Sequence, residues 1–343
     1  MERKYNIDTM KCFCIIAVVC IHTCPFAEKS LGLIINVISR VAVPLFFISS
    51  GYLFYSKFSE KYTKRYFIKI LKIYISWTLF YIVMSLVLMS LFNILNGLNV
   101  LNGYKEYFSN FNLLNIYYSS GIIRYHLWYL STMLLVIPIL YFVIKKNLLK
   151  KALLVTSVLN VIGIFIYNLD IGYLVHTRDV IFFGSFYSIL GSYIKCNEEH
   201  IKNKVKIINK YYVSLIFMFM ITSYIERLIY DNYFIRTGDC YISTIFLSIL
   251  IFILCIIKIN NKDSFFSKIG RNSLGIYVIH PAIIDIIDVA LFILGLQGIT
   301  TTIIWQIIYT PIIITLSYYS YKLLQIMKAK IFLSKPKIEK EVV

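Results

Sequence analysis

Lys11-Cys-Phe-Cys-Ile-Ile-Ala-Val-Val-Cys-Ile-His22 is the stretch whose reading decides the fold. Eleven steps of a 3.6-residue helix make almost three turns, so Lys11 and His22 share one face roughly 16 Å apart along its axis. Asp8 lies on the same face and can hold the lysine in an ion pair. What surrounds this run is set by composition: of 343 residues, 59% are hydrophobic and only 15% charged, and the mean hydropathy is +0.74. A soluble protein could not solvate such a surface. The run is therefore the first span of a polytopic membrane protein.

Working outward from it, apolar windows near 8–27, 31–55, 73–95, 123–144, 152–168, 179–195, 211–230, 240–258, 272–293 and 301–324 predict about ten transmembrane helices and an all-α fold. The 35 basic residues against 17 acidic ones, a formal +18, would suggest nucleic acid in a soluble chain. Here their placement matters more, because 28 of the 35 fall on alternate connections and at the two ends. By the positive-inside rule those segments and both termini are cytoplasmic, which predicts a multi-pass protein of the cell membrane with no nucleic-acid partner. A signal peptide is rejected, since Asp8 and Lys11 intrude and no small-x-small cleavage site follows. The expected organisation is one transmembrane domain over 1–330 and a basic cytoplasmic tail over 331–343. The long connection 96–122, rich in aromatics, reads either as a cover over an outer site or as an interfacial tyrosine belt.

Ionisable residues inside spans cost about 2.5–3.5 kcal/mol each on insertion scales, so each asks for a partner or a function. His22 has the right chemistry for a general base, or it bridges two helices. Lys11 faces the same side and can also snorkel to the inner interface. Arg40, about ten residues into the second span and close to Pro44, can bind a carbonyl, carboxylate or phosphate, or pair with an acid. The connection Lys57–Lys72 carries six cations against Glu60, either an anchor or a phosphate-binding patch. His126, Trp128 and Arg178 fall at the outer mouth. His280 lies mid-span beside Pro281, while Asp285, Asp288, Glu226, Arg227 and Asp231 read as outer-interface charge. Cys20-x-His22-x-Cys24 splays around a helix and does not suggest a metal site.

These residues resemble the membrane-bound acyltransferase 3 family, over nearly the whole chain. The resemblance begins with Asn6-Ile-Asp8-Thr-Met-Lys11 and His22, similar to a basic residue, ten residues, then histidine. It continues through Arg40-Val-Ala-Val-Pro44-Leu-Phe-Phe-Ile-Ser-Ser50-Gly51-Tyr52, His126-Leu-Trp128, Arg178-Asp-Val-Ile-Phe-Phe-Gly184 and Ser273-Leu-Gly275-Ile-Tyr277-Val-Ile-His280-Pro281. Two departures are visible: the family's Arg-x-x-Arg after the second helix is replaced by Lys61/Lys64 and Lys69/Lys72 with Arg65 between them, and the extra C-terminal domain of some relatives is not expected here.

The resemblance implies an O-acyltransferase that moves an acyl group, acetyl before others, from cytoplasmic acetyl-CoA to a hydroxyl of an extracytoplasmic glycan or its lipid-linked precursor. It implies His22, Lys11 and Arg40 as catalytic residues, with His22 the base. Lys61, Lys64, Arg65, Lys69 and Lys72 would bind the acyl-CoA, and His126, Trp128 and Arg178 the acceptor. No metal or prosthetic group is expected. The alternative is a transporter or flippase using the same intramembrane charges, against which stands the lack of a two-fold repeat or of matched Gly/Pro-broken helices.

Overall fold

The computed structural model describes residues 4–27, 29–109, 111–113, 117, 124–169, 177–208, 211–233, 240–257 and 262–333. Among them the chain is helical, with no strand. In chain order the helices are α1 (Tyr5–Thr23), α2 (Ser30–Ser39), α3 (Ala42–Ser56), α4 (Glu60–Leu95), α5 (Val100–Ser109), α6 (Trp128–Lys145) and α7 (Leu149–Asn168). There follow α8 (Ser185–Cys196), α9 (Glu198–Ile208), α10 (Tyr212–Tyr233), α11 (Ile242–Ile257), α12 (Phe265–Arg271), α13 (Ser273–Ile293) and α14 (Ile303–Leu333). Among the described residues eight segments are long and apolar enough to cross a membrane, with α2 and α3 counted as one. The windows at 179–195 and 240–258 give shorter apolar helices, Val180–Cys196 and Ile242–Ile257. At 1.5 Å per residue these rise only about 24–26 Å, short of the roughly 30 Å hydrocarbon layer.

Two expectations need correction. The second window is not one continuous helix. It breaks at Arg40-Val41, and Pro44 falls in the first turn of α3, where its missing N–H removes no helical bond. The basic stretch before the third window is not a loop. Ser59 caps it, its hydroxyl accepting from the Tyr62 N–H at 3.1 Å, and α4 then runs 36 residues, about 54 Å. Glu226, read as outer-interface charge, also serves as a cap: its carboxylate accepts from the Ile242 and Ser243 N–H groups at 2.7 and 3.0 Å and from the Ser243 hydroxyl at 2.6 Å, capping α11 from α10. The basic tail expected from 331 begins as the last turn of α14, and 334–343 lie outside the described residues.

The chain divides into two compact units. Unit 1 takes residues 1–39 and 260–343, so the two ends of the sequence build it together. Within it α1 packs on α12, α13 and α14, burying Ile7, Met10, Cys12, Cys14, Ile15, Val18 and Val19. Gly270 permits the α1–α12 approach, because a methyl there would lie 1.7 Å from the Asp8 carbonyl oxygen. Phe13 stacks on Phe266 with centroids 5.5 Å apart. A capping box, Ser264 with Ser267, starts α12.

Unit 2 takes residues 40–259. Its most extensive contact is α3 on α8, where a methyl on Gly51 would sit 1.8 Å from the Ser188 carbonyl oxygen and one on Gly191 2.0 Å from that of Ile48. Small residues on both helices let the backbones approach, which is how helices gain packing energy where lipid removes the hydrophobic drive. Buried amides tie the other helices to backbone: the Asn160 side chain donates to the Phe182 carbonyl at 2.7 Å and that of Asn168 to Cys240 at 3.0 Å.

Candidate active site

His22 stands in the last turn of α1 and His280 in the middle of α13, and their ring centroids are 5.1 Å apart. His280 is fully buried, while His22 is half-buried. The orientation of His280 follows from its neighbour. Pro281 has no N–H, so the Tyr277 carbonyl loses its helical donor, and the His280 ring turns towards the carbonyls of Ile276 and Tyr277. Its Nδ1 lies 3.2 Å from the Ile276 oxygen. A carbonyl only accepts, so Nδ1 carries the proton and Nε2 holds the lone pair. The arrangement puts two imidazoles of different surroundings side by side: one half-open ring able to take a proton, and one locked ring whose tautomer is set by backbone.

Polar groups from α14 continue the site within unit 1. Thr23 and Thr310 share a hydrogen bond of 2.7 Å, and the Cys20 thiol also reaches Thr310. Cys20 thus turns towards α14 while His22 turns towards α13, the splay expected of i, i+2 spacing. Further along, the Tyr309 hydroxyl donates to Asp288 at 3.1 Å, and the Trp305 and Tyr309 rings stack at 4.9 Å. Lys11 is half-buried on α1, eleven residues and about 16 Å before His22.

The remaining predicted residues belong to unit 2. Arg40 is half-buried at the α2–α3 break. Lys61, Lys64, Arg65, Lys69 and Lys72 are all exposed, and at 100° per residue they occupy one face of α4 about 140° wide. The Tyr62 and Tyr66 rings of that helix stack on each other at 5.8 Å. His126 is buried in a 3-10 turn with its ring edge-on to Tyr81 at 5.0 Å. Trp128 sits in an aromatic cluster with Phe47 and Phe183, at 6.0 and 5.7 Å. The Arg178 guanidinium lies 5.5 Å over the Tyr167 ring.

The structure therefore brings His22 to a histidine that sequence reasoning placed mid-span without a role. A signal for it was present in Tyr277-x-x-His280-Pro281, where a proline after a histidine at membrane depth frees a carbonyl to aim the ring.

Comparison with known proteins gives the arrangement a family. Over 228 residues the chain is 29% identical to a protein from Enterococcus faecalis named amino-acid racemase; the match takes in 59% of this chain and 30% of that protein. The chain thus spans about a third of the length of this curated relative. No solved structure matches. The family model described as an acyltransferase domain matches residues 4–322, taking in α1, α13 and most of α14. The chain belongs to the acyltransferase 3 family of membrane acyltransferases.

Proposed function

We propose that the protein is an O-acyltransferase that moves an acetyl group from cytoplasmic acetyl-CoA to a hydroxyl of an extracytoplasmic glycan or its lipid-linked precursor, with both termini in the cytoplasm of a cell-membrane protein. The juxtaposition of His22 and His280 carries the reading. His22, half-open and at the end of α1, takes the proton of the acceptor hydroxyl. His280, whose proton is held on Nδ1, offers its Nε2 lone pair to the imidazolium formed on His22, the part a carboxylate plays in a serine-protease triad. The exposed cationic face of α4 takes the phosphates and Lys11 the donor's approach along α1. Arg40 steadies the developing charge, and His126, Trp128 and Arg178 serve the acceptor. The racemase name attaches to a protein of which under a third is matched, and we read the shared part as the acyl-transferring one.

Membranes containing the protein should transfer labelled acetyl from acetyl-CoA into the polysaccharide fraction. His22→Ala should lower transfer by 10²-fold or more, the usual worth of a general base, at unchanged abundance. Full activity in that variant would refute the proposal. Movement of a glycan lipid without CoA release would favour a transporter.

A further inference from the structure

Only residues 146–148 join α6 to α7, yet the two helices do not close on each other. The C-terminal half of α7 is drawn to another partner. Its Asn160 amide donates to the Phe182 carbonyl at 2.7 Å, and a methyl on Gly163 would lie 2.6 Å from the Phe182 Cβ. Phe182 belongs to the π-helical turn Val180–Gly184 that leads into α8. Held there, α7 packs on that turn and on α8 more than on α6, and a groove of about 450 Å³ opens between the three helices.

Val143, Thr156 and Ile189 form the buried floor of this groove, and Lys151, Val155 and Ile181 its exposed rim. Its walls are almost wholly apolar, since Thr156 returns its hydroxyl to the Ala152 carbonyl at 2.7 Å. Water needs two to four polar partners to settle in such a space, and apolar walls do not supply them. An alkyl chain suits it, because an open void forfeits the dispersion contacts of its lining. The groove runs along α7 from Lys151 to Leu159, about 12 Å. A second helix, 10–12 Å across, takes up about 900 Å³ or more over that length, twice the space there is.

Depth and charge narrow the occupant further. Lys151 is the third residue of α7, so the groove takes up the lysine-side half of a span that crosses a hydrocarbon layer of about 30 Å. That is one leaflet. Lys145, Lys146, Lys150 and Lys151 stand at this end, and the sequence holds no acidic residue between Glu106 and Asp170. Among the described residues Lys151 has no ion-pair partner. A cation at the mouth of a one-leaflet apolar groove is complementary to a phosphate joined to an alkyl chain. We propose that the groove holds one acyl chain of an anionic glycerophospholipid, with the lipid phosphate on Lys151. Such binding does not depend on the acyl-transfer reading, because no residue given a part in transfer lines the groove.

The test uses the full chain, purified in neutral detergent, stripped of lipid, and then offered phosphatidylglycerol or phosphatidylcholine with the same acyl chains. Bound lipids are counted by native mass spectrometry, and the thermal midpoint is followed in parallel. One phosphatidylglycerol should be retained, about tenfold more tightly than phosphatidylcholine, and should raise the midpoint. Lys151→Gln should cut that preference about fivefold, the effect of one lysine at a lipid surface. Lys150→Gln, outside the groove, should change it by less than about twofold. Val155→Trp and Ile181→Trp each put a large ring at the exposed rim and should abolish retention of both lipids, with the lipid-free midpoint unchanged. Equal binding of the two lipids, or a preference unchanged in Lys151→Gln, would overturn the proposal. So would undiminished binding in both rim variants, or a loss that tracks a fallen lipid-free midpoint. A dimer mass that both rim variants remove would overturn it as well, by making the groove a contact between copies of this chain.

Discussion

The helix-tying groups of unit 2 and the histidine pair of unit 1 use buried polarity differently. In unit 2 the carboxylate of Glu226 and the amides of Asn160 and Asn168 are turned onto backbone, holding helix ends and turns where lipid offers no hydrogen bonds. In unit 1 two histidines face each other across α1 and α13, and only one edge of His280 is given to backbone. Side chains turned onto backbone hold helix ends in place, whereas His22 and His280 set two imidazoles side by side. The contrast predicts that substitutions of the backbone-bound groups of unit 2 act through abundance and those around the histidines act through rate.

The largest effect should come from the α3–α8 crossing. Gly51→Val drives a branched side chain into the Ser188 backbone, costing about 3 kcal/mol or more, and should remove folded protein from the membrane, as read by detergent-resistant fluorescence of a fusion. Next, Glu226→Ala strips the cap from α11 and leaves two N–H groups and two hydroxyls, those of Ser243 and Tyr230, without their acceptor. A loss of about 1–2 kcal/mol is expected, with activity per folded molecule unchanged; a fall in kcat at constant abundance would break the division between the units. Replacing Lys61, Lys64 and Arg65 together by alanine should raise KM for acetyl-CoA about tenfold with little change in kcat or melting, because the three project from an exposed face.

The smallest effect concerns pH. The Asp263 carboxyl is held below the ordinary carboxylate value, first by the Ser267 hydroxyl at 2.6 Å and then by Arg271 at 3.0 Å. A group with a lowered folded pKa adds stability above its unfolded value near 4 and loses it as pH falls through the folded one. The protection of the α12 amides, corrected for their intrinsic exchange, should therefore fall slightly between about pH 5 and pH 3 in wild type, and Asp263→Asn should flatten that dependence.

Much of this was legible in the chain. Hydropathy and the 3.6-residue period located the helices, because burial in lipid writes itself into every residue of a span. The same period put Lys11 and His22 on one face. It did not reveal the break at Arg40, since a helix end without a side-chain cap carries no local mark and Pro44 is tolerated in a first turn. Lysines drew the start of α4 as a loop, although charge on one face of a helix extending past the bilayer is equally soluble. The cap made by Glu226 and the partnership of His22 with His280 join residues distant in sequence, and such contacts have no period. Only Pro281 beside His280 left a trace.

The claim that chemistry resides in the histidine pair is tested most directly by a double-mutant cycle on acetyl transfer in membranes, with His22→Ala, His280→Ala and both together at matched abundance. Groups that act as one unit lose function non-additively. Each single change should lower kcat by about 10²-fold or more, and the double variant should be no worse than the poorer single one. Wild-type rates in either single variant, or losses that multiply in the double one, would contradict it.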